Sequence, residues 1–245
     1  MVLASAAHAS YTYNAQWTFD FGSSPTVNVW GGGKSGDPEY AGEIDAKRTG
    51  TGTGLSGDDN IPDNWLGATG TSIGAYCAEL NQNIYIPGDY QYNVEVLNGS
   101  GTQSTVGSLP GVTFDFGRTL RLEKLWGGSF TPTDKLSAAA FQLAQWNILF
   151  DDNSDNSVTT GTFYASNLTG GDVTAAANTI LGQVDSQTSL ATVFLLSSQS
   201  SQDQIWGTTN PGGPPPGTTP EPFTMSLGLA SAGLFIRRRL KAKKA

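Results

Sequence analysis

The chain has 245 residues, a formal net charge of -8, one cysteine (Cys77) and one histidine (His8). Its length corresponds to one domain, or to one domain with tails. A single cysteine excludes an internal disulfide framework and a cysteine-based zinc site. A single histidine argues against a Ser-His-Asp triad, Cys-His catalysis and polyhistidine metal centres, so we expect neither a metal nor a cofactor.

The first nine residues have the features of an export signal that lacks its beginning. Ala7-His8-Ala9, followed by Ser10, matches the small-x-small pattern of a signal-peptidase site. The apolar stretch before it, residues 1–6, is shorter than a complete signal peptide requires. We therefore interpret residues 1–9 as the remnant of a signal peptide, with a disordered alanine-rich N-terminus as the alternative.

Strands are predicted from Ser10 to about Gly128, because aromatic and β-branched residues there alternate with glycine and serine. The predicted strands are Tyr11–Phe21, Thr26–Trp30, Asn83–Ile86, Tyr90–Leu97 and Val112–Phe116. Pro87-Gly88-Asp89 predicts a turn that joins the third and fourth of these strands into a hairpin. Residues 35–64 are predicted to form a loop.

Two helices are predicted after the strands. Thr131 as N-cap, with Pro132 at the first position, starts a helix that continues to Phe150, and its nearly continuous apolar surface predicts burial. The segment Asp172–Val184 has apolar residues on one face and predicts an amphipathic surface helix. Leu190–Leu196 predicts a last strand, with residues 202–206 beside it. The predicted class is α+β, with sandwich-like or barrel-like strands, one buried helix and one amphipathic helix.

Positive charge is concentrated at the C-terminus. Six of the 13 lysine and arginine residues lie within residues 237–245, and no Asp or Glu occurs from residue 223 onward. Without those six charges the remaining chain has a formal charge of -14. An acidic body without a sizeable basic patch argues against nucleic acid as a partner.

The segment before the basic cluster is built like a short membrane span. Residues 223–236 form an uncharged run of 14 residues. This run is shorter than the roughly 20 residues of a typical transmembrane helix. Arginine side chains that reach the headgroups extend such a span, and a basic flank favours the cytoplasmic side. Upstream, residues 207–219 are rich in Gly and Pro and predict an extended linker.

The tripeptide Pro220-Glu221-Pro222 stands between the linker and the apolar span, and Arg237, Arg238 and Arg239 follow the span directly. These three features together resemble the PEP-CTERM sorting signal of Gram-negative bacteria. The resemblance covers residues 220–245, with an ordinary C-terminal membrane anchor as the alternative. It implies transient anchoring in the inner membrane, cleavage of the tail by an exosortase-type enzyme, and delivery of the body to the cell surface or extracellular matrix. The residues that carry it are Pro220, Glu221, Pro222, Arg237, Arg238 and Arg239.

Two local sequences in the body are candidates for chemistry. One is Ala75-Tyr76-Cys77-Ala78-Glu79-Leu80, and the other runs from Ala139 to Trp146 and contains Gln142. Taken singly, Cys77 is typical of a small buried apolar residue and Gln142 of an exposed helix residue. Taken together, they resemble the motifs of bacterial thioester domains, which are surface adhesin modules of mixed strand and helix. The resemblance implies that the sulfur of Cys77 attacks the side-chain amide of Gln142, releases ammonia and leaves an internal thioester.

The residues around this pair give the resemblance a physical basis. Gln142 has small and apolar neighbours on its helix, where an unpartnered buried amide costs about 1–3 kcal/mol. Tyr76, Phe141 and Trp146 are candidates to keep water away from a thioester. With no histidine nearby, Glu79 is the candidate carboxylate that activates the thiol. Gln145 is a competing acyl donor.

We therefore expect residues 10–206 to form a thioester-like domain of an exported adhesin. It would acylate a surface nucleophile once, and it would not be an enzyme with turnover. A non-covalent structural or carbohydrate-binding matrix module is the alternative, with Trp17, Trp30 and Trp65 as candidate contacts for polysaccharide. A hydrolase that uses paired carboxylates is a third possibility, but no acidic pair in the sequence has its signature.

Overall fold

The computed structural model describes residues 10–17, 25–50, 69–70, 72–97, 102–103, 112–151, 156–169, 171–198 and 200–209. The segments interpreted above as signal-peptide remnant (1–9) and sorting signal (220–245) lie outside these described residues, as do residues 210–219 of the predicted linker, Trp65 and the side chain of Trp17. No helix in the described ranges is long and apolar enough to cross a membrane. The predicted apolar span, residues 223–236, lies outside those ranges.

Strands are distributed along the whole described chain, and three helices lie in its second half. The first strands are β1 (Ser10–Trp17), β2 (Thr26–Gly31), β3 (Lys34–Tyr40), β4 (Ile44–Arg48), β5 (Ser72–Cys77), β6 (Gly88–Val96), β7 (Thr102–Gln103) and β8 (Thr113–Phe114). They are followed by α1 (Phe116–Gly127), α2 (Lys135–Phe150), β9 (Tyr164–Thr169), α3 (Val173–Val184), β10 (Thr192–Ser197) and β11 (Gln204–Thr208). The predicted α+β class with barrel-like strands is confirmed.

Six strands close into an antiparallel barrel in the order β1-β4-β5-β11-β10-β6. Each of the six strands contributes to one cluster of buried side chains, which therefore fills the barrel interior. The members of this cluster are Tyr13, Ala46, Ile73, Ala75, Tyr92, Val94, Phe194, Leu196 and Trp206. Residues that alternate with them along the strands, including Tyr76, Val193 and Ile205, pack in a second and larger cluster with the helices.

Helix α2 is the centre of the second cluster. Every residue from Ala138 to Leu149 is buried, which confirms the prediction of a buried helix. Its N-cap is Asp134, because Asp134 Oδ1 accepts a 2.8 Å hydrogen bond from the backbone N–H of Ser137, and the Ser137 hydroxyl accepts from the backbone N–H of Asp134. The predicted cap at Thr131 is wrong, since this reciprocal pair satisfies the first turn three residues later.

Helix α3 agrees with its prediction. Asp172 caps it, and its buried face includes Val173, Ala177, Leu181 and Val184. The last two strands also agree in outline, since β10 and β11 pair antiparallel along most of their length.

Helix α1 was predicted as strand and turn. Asp115 caps it by accepting a 2.8 Å hydrogen bond from the backbone N–H of Arg118, and Leu122 and Leu125 are buried. The predicted strand Val112–Phe116 is therefore wrong beyond the two residues Thr113 and Phe114.

Two further predictions, a loop and a hairpin, are also wrong. The predicted loop at 35–64 contains most of β3 and all of β4. Asn83–Ile86 forms no strand, so the predicted hairpin is absent, and only its second arm exists as β6. The backbone of Tyr85 bonds instead to the Tyr90 hydroxyl, which accepts from the Tyr85 N–H at 3.0 Å and donates to the Tyr85 carbonyl.

A separate three-stranded sheet has the order β3-β2-β9, with β3 at one edge. Val27 and Val29 of β2 are fully buried and belong to the same cluster as α2. On the opposite face, Trp30 stacks on Tyr164 with ring centroids 4.8 Å apart. The inner face of this sheet thus belongs to the same buried cluster as α2 and Cys77.

Candidate functional site

Cys77 lies at the end of β5, where the strand partner on one side stops. The pairing of β4 with β5 ends at Ile44 and Ala75, whereas β11 continues alongside and sets Gln204 directly opposite Cys77. Cys77 is 5% exposed. Its peptide groups on the β4 side therefore need partners from another element.

Helix α2 supplies those partners through Gln142, which is fully buried. Gln142 Oε1 accepts from the Cys77 backbone N–H at 3.0 Å, and Gln142 Nε2 donates to the Cys77 carbonyl oxygen at 2.8 Å. The side-chain amide thus takes the place that a peptide group of a neighbouring strand would have. The two residues are 65 positions apart in the sequence, and their hydrogen bonds join the Gln142 amide to the main chain of Cys77, whereas the predicted thioester would join it to the sulfur.

The Cys77 carbonyl oxygen accepts from two more donors of the same helix. Gln145 Nε2 lies 3.1 Å from it and Trp146 Nε1 lies 2.9 Å from it. Gln145 Oε1 in turn accepts from Trp126 Nε1 of α1 at 3.2 Å. Three donors of α2 therefore converge on one carbonyl oxygen, which has only two lone pairs and is fully used as an acceptor. These hydrogen bonds hold the Cys77 peptide group against the helix.

The sulfur of Cys77 contacts two other glutamines, which the sequence analysis did not select as site residues. The thiol donates to Gln202 Oε1 at 2.9 Å, and Gln204 Nε2 lies 3.8 Å from Sγ. Gln204 is 1% exposed, and its Oε1 has no hydrogen-bond partner among the described residues. One sequence feature could have pointed to them: Gln202 and Gln204 alternate in a segment that was predicted to lie beside the last strand. The sequence does not specify how this segment pairs with the strand of Cys77, so the contact could not be predicted.

Glu79 follows Cys77 by two residues and bonds to the segment that precedes β11. Its Oε1 accepts from the backbone N–H of Asp203 at 2.9 Å, and its carbonyl accepts from Gln202 Nε2 at 2.7 Å. Ala78 N–H also donates to the Asp203 carbonyl at 2.8 Å. Glu79 therefore fastens the segment after Cys77 to the segment before β11, and burial raises the pKa of its carboxyl.

Burial also controls the state of the thiol. It raises the pKa of Cys77 to about 12, an effect that the Gln204 hydrogen bond opposes and that the charges of Glu39 and Glu79 increase. A thiol of this kind is almost entirely protonated at neutral pH. Reactions in this site must therefore start from the thiol, with its proton transferred to the leaving group.

The predicted cover residues surround the site. Tyr76 and Phe141 pack with ring centroids 4.8 Å apart, and Trp126 packs edge-on against both. The Tyr76 hydroxyl donates to Glu43 Oε2 at 2.9 Å, while burial raises the pKa of Tyr76. Trp146 is 1% exposed and packs against Phe163. These side chains exclude water from the α2 side of Cys77.

No group of three or more His, Cys, Asp or Glu side chains within the described ranges is arranged to hold a metal ion. Compared with models of known protein families, with curated proteins and with solved structures, the chain gives no significant match.

Proposed function

We propose that the body is a thioester module of an exported surface or matrix protein, which attaches covalently to a nucleophile of its partner. The observation that carries the proposal is a fully enclosed thiol in direct contact with glutamine side chains, with Gln204 Nε2 3.8 Å from Sγ. Such a site lacks the features of redox or metal cysteines, which need an accessible thiolate.

The contacts of the sulfur favour Gln204 as the acyl donor over Gln142, which the sequence analysis preferred. Both amide atoms of Gln142 already bond to the Cys77 main chain, and losing its nitrogen would break a 2.8 Å hydrogen bond. Gln204 lies opposite Cys77 on the adjacent strand, where Cβ atoms are about 4.5–5.5 Å apart. Its Oε1 has no hydrogen-bond partner among the described residues, and its Nε2 would give up one hydrogen bond, to the Gln202 carbonyl at 3.1 Å, whereas both amide atoms of Gln142 are bonded.

The chemistry balances without a cofactor. The sulfur attacks the amide carbon Cδ, the C–N bond breaks, and the nitrogen leaves as ammonia with the thiol proton. A primary amine or hydroxyl of the partner then attacks the same carbon, the C–S bond breaks, and the sulfur regains a proton. Each molecule reacts once, which is attachment and not turnover.

The site is also suited to preserving a thioester until a partner arrives. Thioesters are lost to hydrolysis, and Cys77 is enclosed by α2, by the aromatic cluster of Tyr76, Trp126 and Phe141, and by the barrel strands. Gln142, Gln145 and Trp146 then act as positioning residues, since they hold the Cys77 peptide group.

Export and sorting complete the proposal. The tail 220–245 would be recognised at the inner membrane by an exosortase-type enzyme, and the body released to the cell surface or matrix of a Gram-negative bacterium. Expression in a host with and without such an enzyme tests this step. Tail loss only in its presence supports sorting, whereas an equally retained tail in both hosts contradicts it.

Intact-mass spectrometry of the full chain tests the thioester. The wild-type protein should be lighter than its sequence mass by one ammonia, and Cys77→Ala should have its full sequence mass. Among matched variants, Gln204→Met should abolish the deficit, while Gln142→Met and Gln202→Met should retain it. A full wild-type mass with a titratable thiol after denaturation contradicts the thioester, and a deficit lost only in Gln142→Met identifies Gln142 as the donor.

A non-covalent carbohydrate-binding module is the second candidate, and one surface feature favours it. The stacked pair of Trp30 and Tyr164 lies on the outer face of the sheet β3-β2-β9, and Tyr164 is 38% exposed. Sugar rings pack on exposed aromatic faces of this kind. Binding to a matrix polysaccharide that is lost in Tyr164→Ala but kept in Cys77→Ala would support this function.

A further inference from the structure

The sheet β3-β2-β9 has an outer face that is turned away from the buried cluster. Val27 and Val29 of β2 belong to that cluster, so the residues that alternate with them lie on the opposite face. The strand registers place one residue of β3 and one of β9 beside each of these, and all six of those residues are exposed. The outer face consists of Thr26, Asn28 and Trp30 of β2, Ser35, Pro38 and Tyr40 of β3, and Tyr164, Ser166 and Thr169 of β9.

Trp30 is held in place at one end of the outer face. Its indole stacks on the Tyr164 ring of β9, with ring centroids 4.8 Å apart and ring planes 7° from parallel. From the other side of β2, Gly36 of β3 approaches the same indole, and a Cβ on Gly36 would be only 2.9 Å from it. Gly36 also has a φ of +92°, so only glycine suits this position. Because the indole is packed on both sides, the aromatic pair loses little side-chain freedom when a ligand binds.

Tyr40 lies at the other end of the outer face. It is directly opposite Thr26, which is four residues from Trp30 along β2. Four residues of a strand span about 13 Å. Tyr40 and Tyr164 are 53% and 38% exposed and lie on the two edge strands, so the path between them crosses the face diagonally. A ligand that reaches both tyrosines is therefore an extended molecule.

The centre of the face is polar and uncharged. Asn28 is midway between Thr26 and Trp30 on the central strand, and it is directly opposite Ser166 of β9. The charged residues of β3 occupy the alternating positions of that strand, so no charged side chain belongs to the outer face as defined above. The chain without its C-terminal basic cluster has a formal charge of -14, which repels anionic ligands. The face thus suits an uncharged ligand with many hydroxyl groups, which an amide and a hydroxyl can bind.

We propose that the outer face binds a neutral linear polysaccharide that extends from Tyr164 to Tyr40. Sugar rings pack on the aromatic side chains at the two ends, and sugar hydroxyls bond to Asn28 and Ser166 between them. Trp30 is a positioning residue, because it holds the Tyr164 ring. This inference rests on the second candidate function and deepens it by assigning the charge and the extended form of the ligand. It is independent of the thioester.

Isothermal titration calorimetry of the full-length protein tests the inference, with Cys77→Ala in every sample so that covalent attachment does not contribute. The neutral ligands are cellohexaose, xylohexaose and mannohexaose with the corresponding disaccharides, and the anionic ligand is hexagalacturonate. At least one neutral hexasaccharide should bind about tenfold more tightly than its disaccharide, because the shorter molecule loses one aromatic contact. Hexagalacturonate should not bind.

Tyr40→Ala and Tyr164→Ala should each weaken binding of that hexasaccharide about tenfold, since each removes one aromatic contact. Tyr85→Ala is the matched control, because Tyr85 is 79% exposed and lies outside the strands of this sheet. It should leave the affinity unchanged.

The outcomes separate this inference from the function on which it rests. Loss of binding in Tyr164→Ala with no effect of Tyr40→Ala overturns the extended site and leaves a carbohydrate-binding function in place. Absence of binding by every neutral hexasaccharide overturns both, and equal binding of hexagalacturonate overturns the neutral ligand class. A wild-type dimer that Tyr164→Ala converts to a monomer in sedimentation equilibrium would assign the face to a second copy of the chain and also overturn the inference.

Discussion

The buried carboxyl of Asp203 provides the sharpest test of the packing around Cys77. Asp203 is fully buried between the two glutamines that contact the thiol. Its Oδ1 accepts from the backbone N–H of Ser198 at 2.7 Å, while Oδ2 has no hydrogen-bond partner among the described residues. Burial raises the pKa of this carboxyl from 3.8 to about 8, with smaller contributions from the charges of Glu79 and Glu95. The folded protein therefore carries Asp203 mainly as the neutral acid at pH 7.

The contribution of Asp203 to the free energy of unfolding decreases as pH rises. A carboxyl whose pKa is raised in the folded state releases its proton on unfolding, so its stabilising contribution is complete below pH 3.8 and is lost as pH rises toward 8. Each pH unit in this window lowers the free energy of unfolding by about 1.4 kcal/mol. From pH 5 to pH 8 the loss is therefore about 4 kcal/mol, an upper figure because the protein relaxes around a buried charge.

Asp203→Asn removes the ionisation and preserves the shape of the neutral side chain. The Asn Oδ1 still accepts from Ser198, so the variant should be more stable than the wild type, by a difference that grows from pH 5 to pH 8 by about 2 to 4 kcal/mol. Urea unfolding followed by tryptophan fluorescence at pH 5, 6, 7 and 8 measures it. Both proteins should carry Cys77→Ala, so that a thioester does not contribute.

Asp172→Asn is the control of opposite sign. Asp172 is exposed and caps α3, and its pKa is lowered by hydrogen bonds, first that from the backbone N–H of Ala175. Its contribution is present above its ordinary pKa and is lost as pH falls, so the difference for this variant should not grow between pH 5 and pH 8. A constant or shrinking difference for Asp203→Asn would refute the assignment of a neutral buried carboxyl.

Three further predictions concern the same region. Phe141→Ala should lower the free energy of unfolding by about 3–5 kcal/mol in a urea titration, because it removes the ring that Tyr76 and Trp126 pack against; a loss below 1 kcal/mol would contradict that packing. Asp134→Ala should cost about 1 kcal/mol, measured in the same way, since the reciprocal cap of α2 is lost, whereas Asp134→Asn should recover most of it. In the Gln204→Met variant, the Cys77 thiol should react with iodoacetamide far more slowly in the folded protein than after unfolding, because burial raises its pKa to about 12, and equal rates would show an accessible thiol.

The parts of the fold that the sequence predicted are those with local signals. Helix α3 has a regular apolar face and an N-terminal Asp, and the long apolar run of α2 is readable from composition alone. Helix α1 has four charged residues, Arg118, Arg121, Glu123 and Lys124, between its apolar ones. It also follows a segment that has strand-like composition. For both reasons the helical spacing of its apolar residues was not recognised in the sequence. β3 contains a proline and a glycine, and only its pairing with β2 makes it a strand.

The candidate site shows the same division. Two local motifs predicted that Cys77 and Gln142 act together, and in the structure Gln142 bonds to the main chain of Cys77. The contact of Gln204 with the sulfur depends on the register of β5 with β11, which is fixed by barrel closure and not by any nearby residue. Glu79 was expected to activate the thiol, and in the structure its carboxylate accepts a backbone hydrogen bond from Asp203, a contact that no local sequence signal indicates. A polar side chain near a thiol can either take part in its chemistry or connect neighbouring strands by hydrogen bonds, and the sequence alone does not distinguish these two roles.

The direct pairing of Cys77 with Gln204 has a mechanical consequence. The two residues are 127 positions apart, so a bond between them encloses all three helices and two of the six barrel strands, β6 and β10, within one covalent loop. Closing a loop of this length stabilises the folded state by about 5 kcal/mol on chain-entropy grounds. Reaction with a partner would break this internal bond and replace it with a bond between Gln204 and the partner. The unattached module would therefore resist unfolding more strongly than the attached one.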